Sequence, residues 1–167
     1  ANTAAAQAGD IAVVTVPFAS HPAILDTIRE AVAGKIVVDT TVPLVPPKVA
    51  TVQMPPEGSA ALGAQRRLGD AAKVVSAFQN VAAHKLQAGE PIDCDVLVCG
   101  NDRQARESVI ALVETIGLRG LDAGPLANAV AAEALTSILI GINRRYKVDG
   151  AGLRITGALS GAAAPSA

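Results

Sequence analysis

Aromatic side chains make up only 2% of this 167-residue sequence: two Phe, one Tyr and no Trp. A core without large rings has to be filled by Ala, Val, Leu and Ile, and half of all residues are hydrophobic. Such residues suit helices packed closely on a parallel sheet, whose doubly buried strands read as continuous apolar runs. Charge is scarce too, at 17% of residues with a formal net charge of −1. There is no clustered basic face of the kind that neutralises phosphates, so no nucleic-acid partner is expected. The composition is nonetheless that of a folded chain, and the length allows one domain with a real core.

Cysteine and histidine are nearly absent, with two of each. Cys94 and Cys99 have the wrong spacing for a zinc knuckle, and only His21 and His84 could complete a site, so no metal centre is expected. Both thiols are read as reduced in a cytosolic interior, with Cys99 a small core residue. No secretory leader pattern is present. The longest apolar stretch, Ala129 to Ile142, is interrupted by Glu133 and reads as too short to span a bilayer. The expectation is a soluble, cytoplasmic chain without a membrane partner.

What the sequence does contain is a regular alternation of apolar runs and helical patterns. The first residues, Ala1 to Gly9, read as a helix in progress. Asp10 to Thr15 is a β-branched run and hence a buried strand, ended by Pro17. Ser20 and Pro22 open a helix from His21 to Val32, with Ile24, Leu25, Ile28 and Val32 on one face and Gly34 as its stop. Lys35 to Asp39 is a second strand. Strand, helix and strand with short joins predict a parallel crossover. Thr40 to Gly58 is a loop with five prolines, and long irregular loops are often functional. A short helix over Ser59 to Leu68 leads to a third strand, Lys73 to Ala77, and Ala82 to Leu86 form a helical turn. Asp95 to Cys99 is a fourth strand. Asn101 with Gln104 resembles a capping box for a helix to Ile116, on which Arg103 and Glu107 stand at i,i+4 spacing. Arg119 to Asp122 is a fifth strand. A long helix from Leu126 to Tyr146 is apolar almost all round, which implies burial on several sides or a subunit interface.

In open parallel sheets ligands bind beyond the carboxyl ends of the strands. Those ends are Thr15 to Phe18, Thr40 to Pro43, Phe78 to Val81, Gly100-Asn101 and Ala123 to Pro125. They hold no Ser/His/Asp set, no carboxylate pair and no metal cluster. Small, apolar and amide side chains suit a flat ring held against backbone. Gln79 and Asn80 either bind such a ring or cap the next turn. Phe18 either lines the site or packs in the core. His21 reads as an exposed first-turn residue. Glu133 reads as a paired buried carboxylate or an interface residue. Arg144, Arg145 and Lys147 either hold an anionic tail or form a solvated helix end.

Several segments, in order, resemble the NADPH-dependent reductases of the deazaflavin coenzyme F-420 (F420). They are Asp10-Ile-Ala-Val-Val-Thr-Val-Pro17, Lys35-Ile-Val-Val-Asp39 with Thr41-Val-Pro43, Lys73-Val-Val-Ser-Ala-Phe78, and Cys94-Asp-Val-Leu-Val-Cys-Gly100. Gly117-Leu-Arg119, Asp122-Ala-Gly-Pro-Leu126 and Gly152-Leu-Arg-Ile-Thr156 complete the set. The resemblance spans about Gly9 to Thr156. It implies a partial Rossmann-type α/β fold, with a mainly parallel sheet flanked by helices and a long C-terminal helix. It also implies hydride exchange between NADP(H) and F420. The cofactors carry that chemistry; the protein holds the reacting carbons roughly 3–3.5 Å apart and excludes water.

By the same resemblance the nicotinamide cofactor passes Val16, Pro17, Phe18, Val42 and Ala83. The deazaflavin lies over Gln79, Asn80 and Val81 and approaches Ala151 and Gly152. Some members carry His and Thr where this chain has Gln79 and Asn80. No residue is assigned a catalytic role. The family's strand and Gly-rich turn that bind the pyrophosphate are not in the sequence. The chain is therefore read as amino-terminally truncated, as a poor NADP binder by itself, and as exposing a sheet edge. Residues 1–157 are expected to form a single domain and 158–167 a disordered tail, and the partner is expected to be a second copy in a homodimer. The alternatives are another Rossmann reductase, of the pyrroline-carboxylate or β-hydroxyacid type, and a non-catalytic remnant that acts in dimerisation.

Overall fold

The computed structural model describes residues 1–157; the segment 158–167, expected as a disordered tail, lies outside the described residues. Five strands form one sheet in the order β1 (Ile11–Val14), β2 (Ile36–Asp39), β3 (Lys73–Ser76), β4 (Asp95–Gly100) and β5 (Arg119–Asp122). Each lies where the sequence predicts a strand. Six helices accompany them: α1 (Asn2–Ala8), α2 (His21–Ile28), α3 (Ala60–Leu68), α4 (Ala83–Ala88), α5 (Arg103–Thr115) and α6 (Ala129–Tyr146). The predicted helix to Val32 is divided: α2 tightens into a 3-10 turn over Arg29–Val32, and another such turn, Leu126–Asn128, precedes α6.

The sheet is mainly parallel, as expected. β1 pairs with β2, β2 with β3 and β4 with β5 in parallel. β3 and β4 are antiparallel, with Ser76 opposite Cys99 and Val75 opposite Gly100. This reversal corrects one inference from the sequence. The carboxyl ends of β1, β2 and β3 share a rim with the amino ends of β4 and β5. Gly100-Asn101 and Ala123 to Pro125 therefore lie at the opposite end of the sheet.

Two apolar layers flank the sheet. On one face Leu25, Ile28 and Val32 meet Ala61, Ala64 and Leu68 over Val14, Val37 and Val74. On the other, Ala105, Val109 and Val113 of α5 cover Val38, Val75, Val96 and Val98. Each fully buried Val or Leu contributes roughly 1.5–3 kcal/mol. The close fit uses a missing side chain: a Cβ on Gly120 would lie 3.2 Å from the Cα of Ile110, a tighter contact than is usual, so glycine eases the approach of α5 to β5. The α5 layer does not reach the β1 side, where Val13 stays 49% exposed.

Helix starts follow side-chain chemistry. Ser59 caps α3, its hydroxyl accepting the Leu62 N–H at 3.0 Å. The α5 cap is Asp102, not Asn101. The Asp102 carboxylate accepts the Ala105 N–H at 2.7 Å, whereas Asn101 Oδ1 accepts the Leu126 N–H at 3.0 Å. Asp102 stands directly before the first helical residue, where a charged acceptor also suits the helix dipole. With its 3-10 turn, α6 is a 21-residue helical segment, long and apolar enough to cross a membrane by length and composition. Glu133, in the second turn of α6, is 2% exposed, and its carboxylate accepts the Ala60 and Ala61 N–H groups at 2.7 and 3.1 Å. This buried residue ties α6 to α3.

Candidate functional site

The rim formed by β1, β2 and β3 is organised around Asp39, the last residue of β2. Its carboxylate meets His21 Nε2 at 2.8 Å and accepts the Thr41 N–H at 3.0 Å. Its backbone carbonyl accepts from the Gln79 side-chain amide at 2.8 Å. Thr40 and Thr41 reach across to β1, donating from their hydroxyls to the Val14 and Val16 carbonyls at 3.0 and 3.4 Å. The exposed position expected for His21 is incorrect: it is 3% exposed. The first turn of α2 points the ring inward at the rim, where a carboxylate 18 residues away receives it.

The loop after β3 turns sharply at Phe78, which has a φ of 72°. Gln79 and Asn80 then point into the structure, 6% and 7% exposed. The Asn80 side-chain amide donates to the Ala132 carbonyl at 2.9 Å and to Thr136 Oγ1 at 3.2 Å, and Thr136 Oγ1 donates to the Gln79 carbonyl at 2.8 Å. Gln79 Oε1 is buried and has no hydrogen-bond partner. A buried acceptor without a donor costs about 1–3 kcal/mol, so a ligand N–H or O–H placed there would be rewarded.

Two grooves share this loop. One, of about 490 Å³, is lined by Val13, Thr15, Thr40, Phe78, Ala83 and the α5 residues Leu112 and Ile116. The other, of about 180 Å³, lies under Asn80, Thr136, Leu139, Asn143 and Ala151. Gln79 and Val81 belong to both. Of the residues singled out in the sequence, Gln79, Asn80, Val81, Ala83 and Ala151 therefore come together here. Val16 lines a separate recess beside β1, and the Phe18 ring lies 6.4 Å from the His21 ring. Pro17 leads into a 3-10 turn over Phe18–Ser20. Val42 and Gly152 line neither groove. Gly152 instead packs on Cys94, where a Cβ would stand 2.8 Å from that residue's own Cβ.

A second buried aspartate closes the rim on the β4–β5 side. Asp95 accepts from Arg119 Nε at 2.8 Å and Nη2 at 2.5 Å, from Arg154 Nη1 at 3.3 Å, and from the Ile155 N–H at 2.6 Å. Arg154 also pairs with Asp93. The Asp95 N–H donates to the Leu153 carbonyl at 2.6 Å. Asn143 Oδ1 accepts the Ala151 N–H at 2.8 Å, so the segment 151–155 is pinned across the rim and walls the smaller groove. Sequence reasoning missed Asp39, Asp95, Thr136 and Asn143. The one available signal was a charged residue bounding an apolar strand, which both aspartates provide.

Burial sets the local titrations. It pushes the Glu133 carboxyl up to about 7, against the pull of the Ala60 and Ala61 N–H groups. It pushes the Cys99 thiol up to about 11, so that this residue stays protonated. Both cysteines are free, and no cluster of three or more metal-ligating side chains occurs among the described residues. The grooves thus offer apolar walls and backbone, with one unsatisfied amide oxygen buried in the loop that they share. Such walls fit a flat heteroaromatic ring.

The chain is similar to known proteins in fold and in sequence. The crystal structure of a putative F420-dependent NADP reductase from Arthrobacter sp. FB24 is similar at a TM-score of 0.81 and 27% identity, covering 94% of this chain and 73% of that one. The F420-dependent NADP reductase of Methanocaldococcus jannaschii is 42% identical over 160 residues, covering 93% of this chain and 71% of that protein. The chain belongs to the F420-dependent NADP reductase family. The reductase of Methanothermobacter marburgensis is 37% identical over 162 residues, covering 93% of this chain and 72% of that protein. The family described as "NADP oxidoreductase coenzyme F420-dependent" matches residues 1–43, a stretch that includes β1, α2 and β2.

Proposed function

We propose that the chain is an oxidoreductase that exchanges hydride between NADP(H) and F420, with the two rings meeting at the Gln79–Val81 loop. The observation that carries this is the pair of grooves sharing Gln79 and Val81. NADPH supplies a hydride and the deazaflavin accepts it, and the reverse exchange regenerates NADPH. The chain's own residues bind, orient and exclude water. Val16, Pro17, Phe18 and Val42 flank the nicotinamide side, with Ala83 lining the larger groove. Gln79, Asn80 and Val81 hold the deazaflavin side, with Ala151 as a wall of the smaller groove and Gly152 keeping that wall close. Gln79 Oε1 accepts from a ring N–H once the Gln79–Val81 loop shifts to uncover it. Its amide cannot turn over freely, because its NH₂ is engaged by the Asp39 carbonyl.

The same reading includes a cytoplasmic setting, consistent with two free buried thiols, and a homodimer. The dimer surface is the outer side of α6, where Ile138 is 49% exposed beside the half-buried Leu135 and Leu139. The test is loss of the deazaflavin absorbance when the purified chain is mixed with NADPH and oxidised F420. Bleaching with F420 and none of the corresponding NADPH oxidation with a cyclic imine supports the reading. Oxidation of NADPH by the imine alone would overturn it in favour of an imine reductase.

A further inference from the structure

Among the described residues, two carboxylates on the rim are completely withdrawn from water, Asp39 and Asp95. The partners of Asp95 are two guanidiniums and a backbone N–H. Asp39 has one imidazole and one backbone N–H. A buried carboxylate with so few partners is a poor way to stabilise a fold, because an apolar residue of similar size is often as good or better. Its partners have a different common property. His21 begins α2, directly after the Val16-Pro17-Phe18 segment. Thr41 begins the turn that carries Val42. Gln79 leads the loop shared by both grooves and is held by the carbonyl of Asp39 itself.

We infer that Asp39, acting through His21, is a positioning residue that holds the β1, β2 and β3 strand ends in one arc and so sets the nicotinamide side of the site. The inference rests on the reductase reading for its functional half. The pair spans 18 residues of sequence and fixes α2 against the end of β2. The Thr40 and Thr41 hydroxyls tie that turn back to β1. The Ala77 N–H, also donating to the Asp39 carbonyl at 3.3 Å, brings in β3. Rotation of the Asp39 side chain would therefore release both the Pro17-Phe18 turn and the Thr41-Val42 turn together. The β4–β5 side would stay in place, because no hydrogen bond joins Asp39 to it.

The experiment compares wild type, His21→Ala and His21→Gln by backbone hydrogen exchange, and then by steady-state kinetics. His21→Ala leaves the carboxylate without its side-chain partner; His21→Gln returns an amide donor to the same place. In His21→Ala, exchange should quicken about tenfold in segments 15–20 and 40–43 and stay unchanged in β4 and α5. His21→Gln should recover most of that protection. The KM for NADPH should rise about tenfold in His21→Ala, with less than about a twofold change in the KM for F420. If His21→Ala does not fold, Asp39→Asn takes its place, keeping the acceptor for the Thr41 N–H while removing the charge.

Unchanged exchange at 15–20 and 40–43 would overturn the positioning role. So would equal quickening across the whole sheet, or a parallel rise in both KM values, each the sign of a merely structural residue. A wild-type chain that turns over neither cofactor even at saturating NADPH, which offsets the weak NADP binding expected of it, would defeat the reductase reading and the functional half of this inference. The exchange result would still decide whether the pair holds the arc.

Discussion

Asp39 and Asp95 lie on the same rim, both fully buried, and they build opposite kinds of structure. Around Asp95 every acceptor position is filled by fixed positive charge or backbone, and the chain segment 151–155 is locked over the ends of β4 and β5. Around Asp39 the connections are single, one partner is an imidazole, and an amide oxygen nearby has no donor at all. The first arrangement closes the sheet; the second leaves grooves on both sides of one loop. Saturated hydrogen bonding marks the half that carries stability. Incomplete hydrogen bonding marks the half in which the proposed cofactor site lies.

The contrast breaks most visibly on the closed side. Asp95→Ala strands Arg119, whose side chain is 14% exposed, and releases the Ile155 N–H. Removing one partner of a buried pair costs about 3–5 kcal/mol, to be read from urea unfolding. A loss below about 1 kcal/mol would mean that the clamp is ornamental.

Next in size is the pH response of Glu133, which links the open side to α3. Its carboxyl holds its proton up to about pH 7 in the folded chain, above its ordinary value of 4.5. The folded state therefore binds this proton more tightly than the unfolded state. The resulting stability is complete below about 4.5 and lost as pH rises through about 7. Between pH 4.5 and 8 the difference amounts to about 3 kcal/mol. Glu133→Gln should flatten unfolding curves taken across that range. A wild-type curve already flat between pH 5 and 8 would contradict the assignment.

Smaller still is the effect of Gln79→Leu, which removes the orphan acceptor without changing the size of the side chain greatly. Stability should change by less than about 1 kcal/mol, because the lost bond to the Asp39 carbonyl is offset by relief of an unsatisfied oxygen. Affinity for F420, measured by fluorescence titration, should nevertheless fall about tenfold, or about 1.4 kcal/mol. The reverse pattern, large destabilisation with intact affinity, would move Gln79 into the closed class. Smallest is Arg103→Ala. Its i,i+4 bond to Glu107 at 2.8 Å is on the surface, and an exposed pair contributes about 0.5 kcal/mol or less.

The sequence shows the layers of this fold more readily than its direction. Val13-Val14, Val37-Val38, Val74-Val75 and Val96 to Val98 mark strands because apolar β-branched runs have few other uses in a buried sheet. The antiparallel entry of β4 is not visible in the same way. The connection from Asn80 to Cys94 contains only the short α4, and its length permits either return. Local rules also compete: Asn101 and Asp102 are both good caps, and the choice between them depends on the Leu126 N–H, 25 residues along the chain.

Legibility of the site divides similarly. Gln79, Asn80, Val81, Ala83 and Ala151 were marked by family resemblance, and the fold collects them at the two grooves. Val42 and Gly152 line neither, since one lies in the turn behind and the other packs against Cys94. His21 reads as an exposed first-turn residue because nothing near it in sequence offers an acceptor. Its acceptor is on the next strand, and a long-range pair of this kind leaves no periodic trace.

The central claim is that the two cofactors bind at the open half, the closed half lending only Ala151 as a wall of the smaller groove. The most direct measurement is backbone amide chemical-shift mapping with NADP and oxidised F420 added separately. NADP should move Val16, Phe18, Val42 and Ala83, and F420 should move Gln79, Asn80, Val81 and Ala151, while β4 and α5 beyond the groove stay still. Shifts centred on Asp95 and Arg119 with a silent Gln79 loop would contradict the claim.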